Sequence, residues 1–143
     1  PWESSSKSSI SNRKAFTKEC NFKNIEKRSV PTITLNEVMN NSELINGLKK
    51  NHPPFIYLKI DTEGYEFEAL TSLSDLNFNK IFAGQFEYGS TWKERNLDVR
   101  KVIKRLIDQN FAVYQDNFNQ LDMNSHYFFR NFEHCNIFFM KNF

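Results

Sequence analysis

The run FIYLKI, residues 55–60, constrains the fold of this chain more than any other stretch, because it is apolar except for Lys59. Pro53 and Pro54 precede the run and Asp61 follows it, so it is bounded on both sides. A short, nearly continuous apolar run between such boundaries is typical of a strand buried on both faces, as in a parallel sheet covered by helices. The sequence therefore predicts a buried β-strand here and points to an α/β fold.

Strand and helix patterns alternate along the rest of the chain. The segments RSVPTITL, KIFAGQFEY, FAVY and NIFFM are rich in β-branched or aromatic residues, so they predict further strands. Helices are predicted after Thr34, which forms a capping-box pattern with Glu37, around residues 44–48, after Asp61 and over residues 99–107. This alternation predicts an α/β sandwich with a mostly parallel sheet. The last two strands have no helix between them, so we expect the last strand to pair antiparallel.

Acidic residues stand where two of the predicted strands end. Asp61 follows the strand over residues 55–60, and Glu87 ends the strand KIFAGQFEY. Ligands of open α/β sheets bind at the carboxyl ends of the strands. If these strands are neighbours, the two carboxylates converge, where they can hold a metal, orient a hydroxyl or act as a general base. The alternative is that Asp61 or Thr62 caps the following helix and that Glu87 is merely exposed at a strand end.

Several other residues near these strand ends are candidates for a site. Gly64 in a first helical turn indicates an unusual backbone torsion or a close approach, and Gly84 inside a strand indicates close approach of another element. Tyr88, Trp92 and His126 are candidates for contacting a substrate. The alternative for His126, in the long loop before NIFFM, is a surface or packing position.

Composition excludes several classes of protein. The 143 residues fit one domain, and 19 basic against 17 acidic residues give a net charge of +2. The basic residues are scattered, and those on the helix over residues 99–107, Arg105 among them, are expected to form a solvated face, so we expect no nucleic-acid partner. Cys20 and Cys135 lack metal-site spacing, so we assign no metal ligands and interpret both as thiols of a reducing, cytoplasmic compartment. No run of about 18 apolar residues is present, so no membrane span is expected.

The segment LKIDTEGYEFEAL, residues 58–70, closely resembles the hallmark LKIDVEGxExxVL of the FkbM family of S-adenosylmethionine-dependent methyltransferases. VPTITLNEV resembles the strand and TLD segment of that family, and GQFEY resembles its following strand, which ends in Glu. The order and spacing of the three segments match, and the resemblance covers roughly residues 28–115. It implies a class I methyltransferase fold, a Rossmann-like α/β sandwich.

The resemblance also implies an activity, namely transfer of a methyl group from S-adenosylmethionine to a hydroxyl, often on a sugar or a polyketide-like acceptor. Asp61, Glu63 and Glu87 match the family by position and are the expected catalytic residues. Asp61 and Gly64 are also expected to contact the cofactor. The expected partner is therefore a small-molecule or glycan acceptor.

The chain departs from the family pattern in two respects. Asn36 stands where the TLD segment carries an acid, and the chain's four glycines make no G-x-G pattern for the cofactor. We therefore expect residues 28–143 to be the carboxyl-terminal portion of the domain and residues 1–27 to be a polar, Ser-rich lead-in or part of the preceding half. Since the chain begins with Pro1 and not Met, it is expected to be a processed or trimmed chain or a fragment.

Such a chain is expected to lack the first strands of the sheet and to bind cofactor weakly or not at all. The strand over residues 55–60 would then expose an edge, so we expect marginal stability or pairing with another copy in a homo-oligomer. Two alternatives stay open for the function. One is a degenerate, non-catalytic interaction domain, and the other is a carboxylate–metal α/β hydrolase that uses Asp61 and Glu87.

Overall fold

A computed structural model describes residue 29 and residues 31–41, 55–116, 119–121, 123 and 134–142. The helices are α1 (Leu35–Asn40), α2 (Glu66–Ser72), α3 (Asp75–Phe78), α4 (Ser90–Glu94) and α5 (Val99–Asp108). The strands are β1 (Ile56–Ile60), β2 (Ile81–Tyr88), β3 (Phe111–Gln115) and β4 (Cys135–Lys141). These elements confirm every predicted strand except the first, and the helix predicted around residues 44–48 lies outside the described residues. Within the described part of the chain, no helix combines the length and apolarity that crossing a bilayer requires.

The first predicted strand, RSVPTITL, is wrong over the residues that the structure describes. Residues 31–34 form no strand and are exposed, and α1 begins immediately after them. Thr34 accepts a hydrogen bond from the Glu37 amide at 3.1 Å, and the Glu37 carboxylate accepts one from the Thr34 amide at 2.6 Å. This reciprocal capping box fixes the start of the helix, so the β-branched pattern before it never enters the sheet.

The sheet is mixed and has the strand order β1-β2-β4-β3. β1 and β2 pair parallel, whereas β4 lies between β2 and β3 and is antiparallel to both. The first three strands therefore run in one direction and the last runs against them, which confirms the antiparallel last strand. The sheet is an α/β arrangement in which helices connect the strands that run in the same direction.

β1 differs from its prediction as a strand buried on both faces. Its residues alternate, since Ile60 is buried while the Tyr57 side chain is 59% exposed and Lys59 is exposed as well. The alternation arises because only one face of β1 meets the core. β1 is also an outer strand of the sheet, since it pairs only with β2 among the described strands.

The core lies on one face of the sheet. A row of buried residues, Ile60, Phe86 and Ile137, crosses β1, β2 and β4 at successive register positions. A Cβ added to Gly84 would lie 2.4 Å from the Leu58 carbonyl oxygen and 2.5 Å from the Phe139 ring. The close approach predicted from Gly84 is therefore confirmed, because no larger residue fits between β1 and β4.

Each of the five helices contributes at least one buried apolar side chain to this core. Asn36 Oδ1 accepts hydrogen bonds from the Ser74 amide at 2.9 Å and from Asn77 Nδ2 at 2.7 Å. The position thus needs an oxygen acceptor, which an amide supplies as well as a carboxylate, and this accounts for Asn36 in place of the family's acid.

The solvated position expected for Arg105 is wrong, since its guanidinium is half-buried and donates to the Thr71 carbonyl at 2.8 Å.

The thiol of Cys135, at the start of β4, is buried and, among the described residues, forms no disulfide. Burial, together with the negative charge of Asp116, raises the pKa of this thiol to about 12. Such a thiol is rarely ionised at neutral pH and is therefore a poor nucleophile. Cys20 lies outside the described residues.

Candidate functional site

Pairing of β1 with β2 brings the two predicted acids to one edge of the sheet. The strands are parallel and Ile60 pairs with Phe86, so the residues that follow, Asp61 and Glu87, stand level with each other. Carboxylate oxygens of Asp61, Glu63 and Glu87 lie within 4.8 Å of one another. The predicted convergence of Asp61 and Glu87 at the carboxyl ends of neighbouring strands is thus confirmed, and Glu63 joins them. We call these three residues the rim acids.

The segment between β1 and α2 is a turn and not the start of a helix. α2 begins at Glu66 after Tyr65, whose side chain makes no capping hydrogen bond, so the interpretation of Asp61 or Thr62 as the cap is wrong. Glu63 and Gly64 both have positive φ angles, 54° and 117°. These left-handed torsions lift the turn out of helical geometry, and the unusual torsion predicted for Gly64 is confirmed. Because of the turn, Asp61 is exposed and Glu63 half-buried at the edge of the sheet.

The buried carboxylate of Glu66 accepts hydrogen bonds from the turn between β1 and α2 and so stabilises it. Glu66 is 1% exposed, and its Oε1 accepts hydrogen bonds from the Thr62 amide at 2.9 Å, the Thr62 hydroxyl at 3.1 Å and the Gly64 amide at 3.1 Å. Its Oε2 accepts from Trp92 Nε1 at 3.2 Å. Sequence reasoning assigned no role to Glu66, although the hallmark segment carries an acid at this position. The helical pattern places Glu66 on the inner side of α2, and an acid at such a position indicates a buried carboxylate with hydrogen-bond partners.

The Glu87 carboxyl faces a histidine that the sequence did not assign to the site. His134 Nε2 lies 3.0 Å from Glu87 Oε1, and the Glu87 side chain is 23% exposed. Burial raises the pKa of Glu87; the charge of His134 opposes this rise, and the charges of Glu63 and Asp61 add to it. A carboxyl with a raised pKa is suited to accepting a proton from a hydroxyl, and the histidine lies within reach of it.

His134 reaches this position because β4 runs antiparallel. Cys135, the first residue of β4, pairs with Tyr88, the last residue of β2, so the residue before β4 stands beside the end of β2. β3 runs in the same direction as β2, and the long connection from Gln115 to His134 therefore begins and ends at the edge that carries the rim acids. The antiparallel last strand, together with an acid at the end of β2, was the available signal for His134.

The structure describes two of the three predicted substrate residues. Tyr88 and Trp92 are 6% and 1% exposed and belong to the core, where the Trp92 ring packs against Phe86 at 5.7 Å between centroids. Trp92 Nε1 also donates to the Glu87 carbonyl at 3.1 Å. His126 lies outside the described residues. Contact of Tyr88, Trp92 and His126 with a substrate stays a prediction.

The rim acids define what the site can bind. Asp61 pairs with Lys59 at 3.6 Å on the surface, which offsets one of the three negative charges only in part. Carboxylate oxygens are the ligands that Mg²⁺ and Ca²⁺ prefer, so the three side chains could hold such a cation. They suit equally an organic cation or a hydroxyl that must lose its proton.

Comparison with protein families gives a match that covers most of the chain. The family described as Methyltransferase FkbM domain matches residues 2–127, which include the β1–α2 turn and β2 with all three rim acids. The match begins well before residue 28, where the resemblance of the hallmark segments begins. Neither the curated proteins nor the solved structures provide a match. The protein belongs to the FkbM methyltransferase family.

Proposed function

We propose that the protein takes part in transfer of a methyl group from S-adenosylmethionine to a hydroxyl of a sugar or another small-molecule or glycan acceptor. The observation that carries the proposal is the meeting of Asp61 and Glu87 at the carboxyl edge of the sheet, in a chain of a methyltransferase family. A Rossmann-like, class I arrangement of the whole domain is part of the same proposal, supported by strands of one direction with an antiparallel strand inserted among them.

The residues present fit one end of the cofactor. S-adenosylmethionine supplies, when bound, an electrophilic methyl group on a positively charged sulfur, and its amino acid end carries an ammonium group. Asp61 and the other rim acids offer complementary negative charge, and Gly64 lies in the turn that carries two of them. The four glycines of the chain form no G-x-G turn for the adenosine end. The described residues therefore suit the reacting end of the cofactor.

The acids have separate roles in this proposal. Glu87 accepts the proton of the acceptor hydroxyl, because its raised pKa brings it closer to neutrality than an ordinary glutamate. His134, in contact with Glu87 and 66% exposed, passes that proton to solvent. Asp61 and Glu63 orient the hydroxyl and balance the positive charge of the cofactor, which is the alignment that an in-line displacement requires.

The test uses the full-length gene product and S-adenosylmethionine with a labelled methyl group, offered with fractionated glycans and small hydroxyl compounds. Asp61→Asn and Glu87→Gln keep the shape of each side chain, and Asp108→Asn on α5 is the matched control. We expect incorporation of label to fall at least about 100-fold in Glu87→Gln, the usual loss when a positioned base is removed. Incorporation should also fall in Asp61→Asn, because the acceptor hydroxyl loses its orientation, and should stay unchanged in the control. Full turnover in both rim variants would refute the proposal.

Two other functions each have one observation in their favour. The absence of a G-x-G turn favours a non-catalytic interaction domain, and the three converging carboxylates favour a metal-dependent hydrolase. A calorimetric titration of the full-length gene product with S-adenosylhomocysteine separates them from the methyltransferase. Binding supports methyl transfer, whereas hydrolysis that needs a divalent cation and no cofactor supports the hydrolase.

A further inference from the structure

Glu66 is a buried carboxylate to which the reaction proposed above gives no direct role. Burying a carboxylate is unfavourable unless hydrogen bonds replace its lost hydration. Glu66 is 1% exposed, and donors surround it on both oxygens. A hydrophobic side chain would fill the same volume without this cost, so the hydrogen bonds of the carboxylate require an explanation.

One set of these bonds fixes the turn that carries Asp61 and Glu63. The amides of Thr62 and Gly64 flank Glu63, and both point at the Glu66 carboxylate, at 2.9 and 3.1 Å. Glu63 lies between them with a φ of 54°, a torsion that non-glycine residues seldom adopt unless their surroundings impose it. Glu66 thus holds the backbone on either side of Glu63 in this conformation.

A second set of bonds reaches the other strand. Trp92 Nε1 is shared between Glu66 Oε2 at 3.2 Å and the Glu87 carbonyl at 3.1 Å. Trp92 is itself buried, with its ring against Phe86 and, edge-on, against Phe67 at 5.8 Å between centroids. Its indole is therefore a fixed link between the Glu66 carboxylate and the backbone of Glu87.

We propose that Glu66 is a positioning residue, which through Thr62, Gly64 and Trp92 sets the placement of Asp61 and Glu63 relative to Glu87. The proposal rests on the function proposed above, in which the rim acids act together. It assigns to the third acid of the hallmark segment the task of joining the ends of two strands, and to Trp92 a linking role inside the core.

The test removes single hydrogen bonds without removing the charge of Glu66. Thr62→Val deletes the hydroxyl that donates to Glu66 Oε1 and keeps the side-chain shape, whereas Thr62→Ser keeps the hydroxyl. Trp92→Phe deletes the indole N–H and keeps an aromatic ring. Asp108→Asn, on the exposed side of α5, is the control.

The first measurement needs no enzymatic activity. Only four glycines and two tryptophans occur in the chain, so nitrogen-15 labelling gives few signals and allows the Gly64 amide and the Trp92 indole to be followed. We expect Thr62→Val to shift the Trp92 indole signal, because the only described link between the two side chains runs through Glu66. An unchanged indole signal in Thr62→Val would overturn the proposal whether or not the protein methylates anything.

The second measurement is methyl transfer by the full-length gene product. We expect kcat per folded molecule to fall about tenfold in Thr62→Val and in Trp92→Phe, the effect of losing one hydrogen bond to a charged group. Thr62→Ser should restore kcat, and KM for S-adenosylmethionine should change little. Variants that lose thermal stability but keep the kcat of the control would show that Glu66 serves stability alone, and this result would overturn the proposal. If the wild-type protein transfers no methyl group, the proposed function fails and the nuclear magnetic resonance measurement alone decides the role of Glu66.

Discussion

The Glu87 carboxyl carries the clearest electrostatic signature of the site. We expect its pKa to lie above the ordinary value of 4.5, chiefly because burial disfavours the charged form. Asp61→Asn removes a negative charge and should lower this pKa, whereas His134→Gln removes a group that stabilises the ionised carboxyl and should raise it. Carbon-13 nuclear magnetic resonance of labelled glutamate side chains measures both shifts.

The same titration predicts a pH dependence of activity. If Glu87 accepts the proton of the acceptor, turnover rises as pH increases through the raised pKa of Glu87, and Asp61→Asn moves this rise to lower pH. Asp108→Asn, remote from the rim acids, should leave the profile in place. A Glu87 that titrates at or below 4.5 in the folded protein would contradict the account of its burial.

The packing of the sheet permits only glycine at position 84. A methyl group at this position would meet the Leu58 carbonyl oxygen at 2.4 Å and the Phe139 ring at 2.5 Å, so β1, β2 and β4 would have to move apart. We expect Gly84→Ala to lower the free energy of unfolding by about 1–3 kcal/mol, the usual cost of overpacking a core. Urea denaturation measures the change, and Ala83→Ser at the half-buried neighbour is the control. Equal stability of Gly84→Ala and wild type would show that the strands can separate without strain.

Single residues were predictable from sequence where their own chemistry was unusual. Gly64 indicated an unusual backbone torsion and Gly84 indicated close approach of another element, because glycine is otherwise unfavourable at such positions. Glu66 and His134 were not predicted, since their roles depend on neighbours distant in sequence: Trp92 for Glu66 and Glu87 for His134. The local pattern indicates an acid on the inner side of a helix for Glu66 and a residue just before the last strand for His134, but it does not identify the contact partner of either.

At the scale of elements, one side chain of α5 donates hydrogen bonds to carbonyl groups at the end of α2. Arg105 donates to the Thr71 carbonyl at 2.8 Å and also to the Leu73 carbonyl, at the end of α2 where carbonyl groups lack helical partners. A positive charge at this end is favourable, so we expect Arg105→Gln to lower the free energy of unfolding by about 1–2 kcal/mol. Chemical denaturation provides the measurement.

Arg100→Gln on the same helix is the matched control for Arg105. Arg100 pairs with Asp98 on the exposed side of α5, where an ion pair contributes little. The two substitutions remove the same charge from one helix, so the difference between them measures the contacts of Arg105 with α2 together with its ion pair to Asp75 at 3.7 Å and its position over the Phe78 ring. Equal losses in both variants would mean that the carbonyl contacts of Arg105 add nothing.

Elements were predicted well where local signals agreed and poorly where they competed. α5 was predicted from the helical spacing of its apolar residues, and the structure confirms a helix over Val99–Asp108. In residues 28–35 a β-branched pattern competed with a capping box, and the side-chain hydrogen bonds of Thr34 and Glu37 decided the outcome. Side-chain and backbone hydrogen bonds at a helix start are specific in position, whereas β propensity alone is weak without a neighbouring strand.

At the scale of the whole molecule, strand order decides what the local patterns could not. The sequence predicted that the last strand pairs antiparallel, but insertion of β4 between β2 and β3 is a choice among several orders and has no local signature. This order brings His134 to Glu87 and both ends of the long connection to the rim acids. It also leaves β1 outermost among the described strands, so that its outer edge is a candidate surface for pairing with a second copy of the chain.

β1 is expected to mediate self-association of this chain. Within the described residues the outer edge of β1 pairs with no strand, and Phe55 and Tyr57, next to and within this strand, are 73% and 59% exposed. An exposed edge strand with apolar side chains offers unpaired backbone groups to a second copy, and a lysine is the substitution by which natural edges prevent such pairing. We therefore expect sedimentation velocity to show oligomers that increase with concentration and a shift toward monomer in Tyr57→Lys.

A second exposed apolar residue distinguishes pairing along the edge from adhesion through the face of the sheet. Met140 lies in the same cross-strand row as Tyr57, is 44% exposed, and belongs to an interior strand. If association runs through the edge of β1, Met140→Lys leaves it intact while Tyr57→Lys disrupts it, because only the latter places a charge beside unpaired backbone groups. Equal disruption by both substitutions would assign association to the face, and a wild-type monomer at every concentration would show that this edge is covered or does not pair.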